Sequence, residues 1–295
     1  MTPGDRRTIE ELAVLYELHP NRKDIYVEGP IDVSFFRWFL RQASSQSATV
    51  YEISTVEIPV DWIKQHNLED NNRDRVITLA FLLASYIGEE SLQITCIADR
   101  DLDLVLNRQH NCGLLLFTDY TCIEMYSFNE MCMDKFLNVF ICGFPRRPAY
   151  VLQQLSLTLQ KLFLIRLANT LLHLGLMQIP FKRCCRLKDG EIIFNAEDFI
   201  NRYLNKNNMR SRKREFSDAI ESCKSRLSNN PLHCMHGHDY INLLAWYLAN
   251  HHVDRKLCDS EVVGRSLLES PEFNQLTNEL LFKQLLDRVN EADAP

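Results

Sequence analysis

Short apolar runs that end in acidic residues constrain the fold of this chain more than any other feature of its sequence. The first run is Ile25 to Val27, which ends at Glu28 and is followed at once by Gly-Pro. Gly-Pro stops a strand and turns the chain, and helical apolar spacing then begins at Asp32. An unpaired carboxylate is costly inside an apolar strand. Glu28 therefore fits the carboxyl end of a buried strand, where open α/β sheets place their ligands.

Two further apolar runs repeat this arrangement. They are Ile94 to Ala98, which is followed by Asp99 and Asp101, and Leu114 to Phe117, which is followed by Asp119 and Glu124. Strands that alternate with helical segments predict a mainly parallel sheet with crossover helices, so the carboxyl ends of the strands meet at one edge. Clustered carboxylates repel one another unless a cation neutralises them, and hard oxygen ligands suit Mg²⁺ or Mn²⁺. The sequence therefore predicts a divalent-metal site at this edge.

Three motifs in this order resemble a known family. V-E-G-x-x-D, a strand ending in D-x-D and a later acidic turn resemble the TOPRIM fold of topoisomerases, primases and OLD-type nucleases. The stretches VEGPIDV, IADRDLD and TDYTCIEMY are similar to the AriB-like TOPRIM effector nucleases of the PARIS anti-phage defence system. These motifs cover roughly residues 20 to 130, and beyond them the resemblance rests on length and a helical tail.

The resemblance implies a role for each acidic residue. Glu28 corresponds to the acid/base glutamate and is also a candidate metal ligand, and Asp32 matches the acid that follows V-E-G. Asp99 and Asp101 match the D-x-D pair that holds Mg²⁺, and we expect them on one extended segment with both side chains directed at one ion. Glu124 matches the third acidic motif, with Asp119 as its competitor. The predicted catalytic residues are Glu28, Asp99, Asp101 and Glu124, and the predicted metal ligands are Glu28, Asp32, Asp99 and Asp101.

The same resemblance implies an activity and partners. It implies a Mg²⁺-dependent endoribonuclease that cleaves host tRNA as the toxic effector of abortive infection. Such effectors are held inactive by an AriA-like ABC-type ATPase sensor subunit and dimerise when released. The chain has no G-x-x-x-x-G-K-[ST] motif, so nucleotide-driven work would come from another chain. Two alternatives stay open: an OLD-type DNA nuclease or nickase, and a non-catalytic TOPRIM scaffold that regulates an ATPase partner.

The charge of the chain limits how it could contact a polyanion. The net charge is −6, so binding to nucleic acid must come from a local basic patch. One basic run spans Arg210 to Arg214, and a second spans Lys182 to Lys188. Solvated surface and an acidic protein partner are the alternative interpretations of these runs. The residues predicted to bind nucleic acid are Lys182, Arg183, Arg210, Arg212, Lys213 and Arg214.

Composition and periodicity divide the chain into three predicted segments. Residues 1–20 form a helical segment, residues 21–128 an α/β TOPRIM domain, and residues 129–295 a largely helical domain. A small hairpin turning at Asp189-Gly190 is expected in the last segment. No apolar run is long enough to span a bilayer, and the amino terminus lacks the apolar core of a signal peptide, so we expect a cytoplasmic protein.

One cluster of soft-metal ligands needs a separate interpretation. Cys234, His236 and His238 lie close together in the sequence, but no second pair stands at the spacing of a zinc finger. A loop followed by a helix start is therefore favoured, with Asp239 as the candidate N-cap. The ten cysteines are scattered through mostly apolar segments, and we expect them to be reduced.

Overall fold

The computed structural model describes residues 6–45 and 48–290. The outer ends of the first and third predicted segments, residues 1–5 and 291–295, lie outside these described residues. The described residues form two compact units: the first contains those within 1–100, 109–119 and 272–295, and the second contains residues 101–108 and 120–271. These bounds differ from the predicted segments, and each unit is therefore described by itself.

A four-stranded parallel sheet in the order β2-β1-β3-β4 forms the centre of the first unit. Its strands are β1 (Lys23–Val27), β2 (Ala48–Glu52), β3 (Ile94–Ala98) and β4 (Leu115–Phe117). β1 and β3 are buried along their whole length, as expected for apolar strands in the middle of a parallel sheet. The predicted α/β architecture with a mainly parallel sheet is confirmed at this level.

Helices connect and cover these strands. They are α1 (Ile9–Leu18), α2 (Pro30–Gln42), α3 (Val60–Gln65) and α4 (Asn72–Ile87) in the first part of the chain, and α12 (Phe273–Leu276) and α13 (Leu280–Asn290) in its last part. Apolar side chains of α1 and α4 form one buried cluster with those of β3 and β4. Because α4 precedes β3 in the chain, its first turn lies at the carboxyl edge of the sheet, where Glu28 and Asp99 are.

The last described helix, α13, is held to the first unit by packing and by polar contacts at both ends. The Phe282 ring centroid lies 4.7 Å from that of Phe39. At the carboxyl end, Lys23 Nζ donates to the carbonyl oxygens of Arg288 and Val289 at 2.6 and 2.5 Å, where a cation complements the helix dipole. The predicted segment 129–295 is therefore divided, because its final helices complete the apolar surface of the first unit.

The second unit is largely helical. It contains α5 (Asp103–Leu106), α6 (Glu130–Lys135), α7 (Pro148–Leu171), α8 (Ala196–Lys206), α9 (Lys213–Cys223), α10 (Gly237–Asn250) and α11 (Ser260–Leu268). Its antiparallel hairpin consists of β5 (Cys185–Lys188) and β6 (Glu191–Phe194). Asp189 and Gly190 both have positive φ, 54° and 89°, as a tight hairpin turn requires. The predicted hairpin and its turn are confirmed.

No helix in the described part of the chain is both long and apolar enough to cross a membrane. The longest, α7, has 24 residues but carries Lys161 and Arg166 along its length.

Candidate functional site

The sheet brings Glu28 and Asp99 together. β1 and β3 are adjacent and parallel, with Tyr26 opposite Cys96, so the residues that follow the two strands are neighbours. Glu28 Oε1 accepts a hydrogen bond from the backbone N–H of Asp99 at 2.8 Å. Both residues are half-buried. The first unit therefore places two of the predicted acidic residues at one edge, with the Glu28 carboxylate fixed by the backbone of the other.

Asp32 holds the turn that follows Glu28. Its Oδ2 accepts a hydrogen bond from the backbone N–H of Gly29 at 2.9 Å, which closes the first turn of α2. A carboxylate in this position also complements the positive end of the helix dipole. The Glu28 carbonyl oxygen accepts from Asn72 Nδ2 at 3.0 Å. The V-E-G-P turn is thus fixed from both sides, and Asp32 has a structural role whether or not it contacts a metal.

Arg73 belongs to this edge but was missed by the sequence reasoning. It is a buried residue in the first turn of α4, and its Nε donates to the Asp99 carbonyl oxygen at 2.7 Å. Its Nη1 donates to Asp74 Oδ1 at 2.8 Å. The signal that could have found it is Asn71, an N-cap residue whose side chain accepts from the Asp74 N–H. Recognising that cap would have placed Arg73 at the carboxyl edge of the sheet.

Asp101 does not continue an extended segment. Its φ is 46°, in the left-handed region, and its backbone N–H donates to the Thr121 carbonyl oxygen at 2.8 Å. Asp is one of the few residues other than Gly that enter this region readily. The expectation that Asp99 and Asp101 lie on one extended strand end is therefore wrong, because the chain turns at Asp101 before α5. Asp99 belongs to the first unit and Asp101 to the second.

Glu124 and its competitor Asp119 have different surroundings. Asp119 Oδ2 accepts from the Leu281 N–H at 3.2 Å, at the start of α13 in the first unit. Glu124 lies on a 3₁₀ turn, Ile123–Ser127, in the second unit, where its carboxylate rests against Gly237 at the start of α10. A Cβ at position 237 would lie 2.6 Å from Glu124 Cδ. Only glycine leaves room for this carboxylate beside the helix amino terminus.

Polar contacts also hold the start of α10, the helix that begins at Gly237. Arg166 makes two hydrogen bonds to Asp239, Nε to Oδ2 at 2.7 Å and Nη2 to Oδ1 at 2.8 Å. Asp239 lies in the first turn of α10, and the N-cap residue is His236, so the prediction that Asp239 is the N-cap is wrong. Burial, followed by the Arg166 guanidinium, lowers the pKa of His236 to about 3. Its imidazole is therefore neutral near pH 7.

Within residues 6–45 and 48–290, no group of three or more His, Cys, Asp or Glu side chains is arranged to hold a metal ion. This applies to the predicted ligands and to the cluster of Cys234, His236 and His238. Glu28 and Asp99 supply only oxygen donors, which suit Mg²⁺ or Mn²⁺ and not a structural Zn²⁺ site. Mg²⁺ is usually bound by one or two carboxylates, with water and substrate phosphates as its other ligands. The two acids at this edge fit that mode of binding.

The six predicted nucleic-acid-binding residues differ in their pairing. Arg212 pairs with Glu215, and Lys213 Nζ lies 3.1 Å from Glu197 Oε1. The other four have no ion-pair partner among the described residues; they are Lys182, Arg183, Arg210 and Arg214. The first two of these form a short 3₁₀ turn, Lys182–Cys184, that leads into the hairpin.

Comparison with protein-family models and with curated protein sequences found no match for this chain.

Proposed function

We propose that this protein is a Mg²⁺-dependent TOPRIM-type phosphodiesterase that cleaves RNA. The observation that carries the proposal is the Glu28 carboxylate, which the Asp99 N–H holds at the carboxyl edge of a parallel sheet. This is the edge where open α/β sheets bind their ligands. The substrate class proposed from the motifs is tRNA, and the proposed compartment is the cytoplasm.

Each residue at this edge has a distinct part in the proposed reaction. When bound, Mg²⁺ or Mn²⁺ supplies charge neutralisation at the reacting phosphate and activation of an oxygen nucleophile. Asp99 offers a carboxylate to the ion, and Arg73 fixes the Asp99 backbone through its carbonyl oxygen. Glu28 accepts the proton of the attacking water or ribose hydroxyl. The motif resemblance adds Asp32 and Asp101 as further candidate metal ligands, and Asp101 and Glu124 as candidate catalytic residues.

The biological role is proposed from the motif resemblance alone. An effector of this kind would be toxic, would be held inactive by an AriA-like ABC-type ATPase sensor and would act as a homodimer once released. The lack of a Walker A motif in this chain agrees with a separate ATPase subunit.

Sequencing RNA 5′ and 3′ ends from cells that express the chain tests the proposal. We expect discrete new ends in tRNA that disappear when Glu28→Gln replaces the wild type. Cells should be tested with and without the ATPase partner and infecting phage. The proposed ribonuclease would be contradicted if cells with the wild type and cells with Glu28→Gln gave the same RNA ends under every condition and their RNA stayed intact. New breaks in genomic DNA in place of RNA would support a DNA nuclease.

One observation favours the non-catalytic scaffold as a second candidate. Glu28 Oε1 accepts from the Asp99 N–H and Asp32 Oδ2 accepts from the Gly29 N–H, which is the arrangement expected if the acids served only to shape and cap the fold. In that case Glu28→Gln would leave both toxicity and binding to the ATPase partner unchanged.

Replacing Gly237 tests whether the space at this position determines where the Glu124 carboxylate lies. Gly237→Ala is expected to lower RNA cleavage about a hundredfold, because its methyl group would push the Glu124 carboxylate aside and misplacement by about 1 Å can cost that much. Initial cleavage rates of a tRNA transcript measure the effect.

Gly264→Ala is the matched control for this prediction. Gly264 is also helical, but a Cβ there meets only the flexible end of Ile241, at 3.0 Å, so we expect little change in rate. If Gly237 acts through Glu124, the double variant Gly237→Ala/Glu124→Gln should be no slower than Glu124→Gln alone. Additive losses would contradict the positioning role.

A further inference from the structure

The hairpin of the second unit lies within a strongly basic part of the chain. Residues 143–195 contain eight Lys and Arg side chains but only two Asp and Glu, whereas the whole chain has a net charge of −6. We call the following six residues the hairpin cations: Arg146, Arg147, Lys182, Arg183, Arg186 and Lys188. A strongly positive region in an acidic chain creates a local field that attracts polyanions.

Contacts tie the first of these cations to the hairpin turn. A Cβ at Gly190 would lie 2.5 Å from Arg146 Nη2, so the guanidinium rests directly on the turn. Arg146 Nη2 also donates to the Asp189 carbonyl oxygen at 3.4 Å. In addition, the buried Tyr247 hydroxyl donates to the Gly190 carbonyl oxygen at 3.1 Å. The turn is therefore anchored in the unit, and the segment 146–147 lies beside it.

Strand alternation places two more cations on one face. Arg186 and Lys188 are exposed, whereas Leu187 between them is half-buried and packs against the main apolar cluster of the unit. Residues two apart on a strand lie on the same face, so the two cations lie side by side. Lys182 and Arg183 precede this strand directly in a 3₁₀ turn. The hairpin thus presents its cations from an ordered backbone.

The hairpin cations have no ion-pair partner among the described residues, a property they share with Arg210 and Arg214, whereas five other cations of the same unit are paired. The paired ones are Arg202, Arg212, Lys213, Lys224 and Arg265. Two thiols in the hairpin region add no negative charge, because burial raises the pKa of Cys184 to about 11 and that of Cys185 to about 12. Glu191 lies opposite Lys188 on the neighbouring strand and Asp189 lies in the turn, so the six cations exceed the acids of the hairpin by four charges.

We propose that the hairpin cations bind the phosphodiester backbone of RNA, a proposal that rests on the proposed function for the identity of the polymer. Arg and Lys side chains supply most of the phosphate contacts in complexes with nucleic acids. Exposed large apolar side chains would favour a protein partner, since such anchors dominate protein interfaces. None of the exposed large apolar side chains among the described residues lies on the hairpin or at residues 146–147.

Binding of a fluorescein-labelled tRNA transcript at several salt concentrations tests this surface. The full-length Glu28→Gln protein is the parent, because it binds without cleaving. Arg186→Gln/Lys188→Gln in this parent should bind roughly tenfold more weakly at 0.15 M salt. The slope of log K against log salt should become shallower by about 1.4 to 1.8, since each lost phosphate contact removes about 0.7 to 0.9. Arg147→Gln/Arg183→Gln, a second pair of exposed residues, should give a similar change.

Arg202→Gln/Arg265→Gln is the matched control, because both of these exposed arginines are already paired with acids. The slope of log K against log salt for this control should equal that of the parent. If both hairpin variants also match the parent, or if the parent binds no RNA even at low salt, the surface does not bind RNA and an acidic protein partner is the better interpretation. If the variants show the expected slopes but the wild type does not cleave RNA, the proposal that the hairpin cations bind RNA stands and the proposed nuclease activity is wrong.

Discussion

Glu28→Gln is expected to lower the rate of RNA cleavage by at least about a hundredfold while leaving the fold intact. Proton transfer by a positioned side chain contributes roughly 10²- to 10⁴-fold to such reactions, and glutamine cannot accept the proton. The glutamine side chain has nearly the same size as the glutamate it replaces, and its carbonyl oxygen can still accept from the Asp99 N–H, as Glu28 Oε1 does at 2.8 Å. Initial rates on a tRNA transcript with Mg²⁺ measure the loss, and thermal melting reports the fold.

Glu52→Gln is a matched control for this experiment. Glu52 ends the neighbouring strand β2 opposite Val27, and it is also half-buried. The same change of charge is thus made one strand away, at a residue with no proposed role in the reaction. We expect cleavage by this variant within about twofold of wild type. Equal losses in both variants would show a general charge effect, and undiminished cleavage by Glu28→Gln would remove Glu28 from the mechanism.

Features carried by local periodicity were predictable from the sequence. The apolar runs before Glu28 and Asp99 identify buried strands, and strand-helix alternation makes them parallel, which brings the two acids to one edge. The hairpin followed from Asp-Gly between two short strands, because both residues of its turn need positive φ. In these cases a few neighbouring residues determine the structure.

Features that depend on distant contacts were not predictable in the same way. The Lys23 ammonium caps α13 from the other end of the chain, and nothing near Lys23 in the sequence indicates that partner. Gly237 is explained by the Glu124 carboxylate and the Cys122 thiol, both distant in sequence, that lie against it. The left-handed turn at Asp101 likewise depends on the hydrogen bond to Thr121, which a D-x-D motif does not specify.

Breaking the Arg166–Asp239 pair is expected to cause a large loss of stability in the second unit. The Asp239 side chain is 8% exposed and that of Arg166 is 22% exposed, so the pair is largely removed from water. Asp239→Ala would leave the guanidinium without its carboxylate. Removing one partner of a buried pair costs about 3 to 5 kcal/mol, and the partial exposure of Arg166 points to the lower end of that range. Urea denaturation measures the change in the free energy of unfolding.

The double variant Arg166→Met/Asp239→Ala distinguishes the stability cost of an unpaired buried charge from the cost of lost packing. Because it leaves no isolated buried charge, it should be less destabilised than the sum of the two single variants by at least about 1 kcal/mol. Glu261→Ala is the matched control, since the Arg265–Glu261 pair has side chains 65% and 68% exposed and should contribute less than about 0.5 kcal/mol. If Asp239→Ala were no more destabilising than Glu261→Ala, the pair would not hold α7 and the start of α10 together, and the support for Gly237 beside Glu124 would have to come from apolar packing alone.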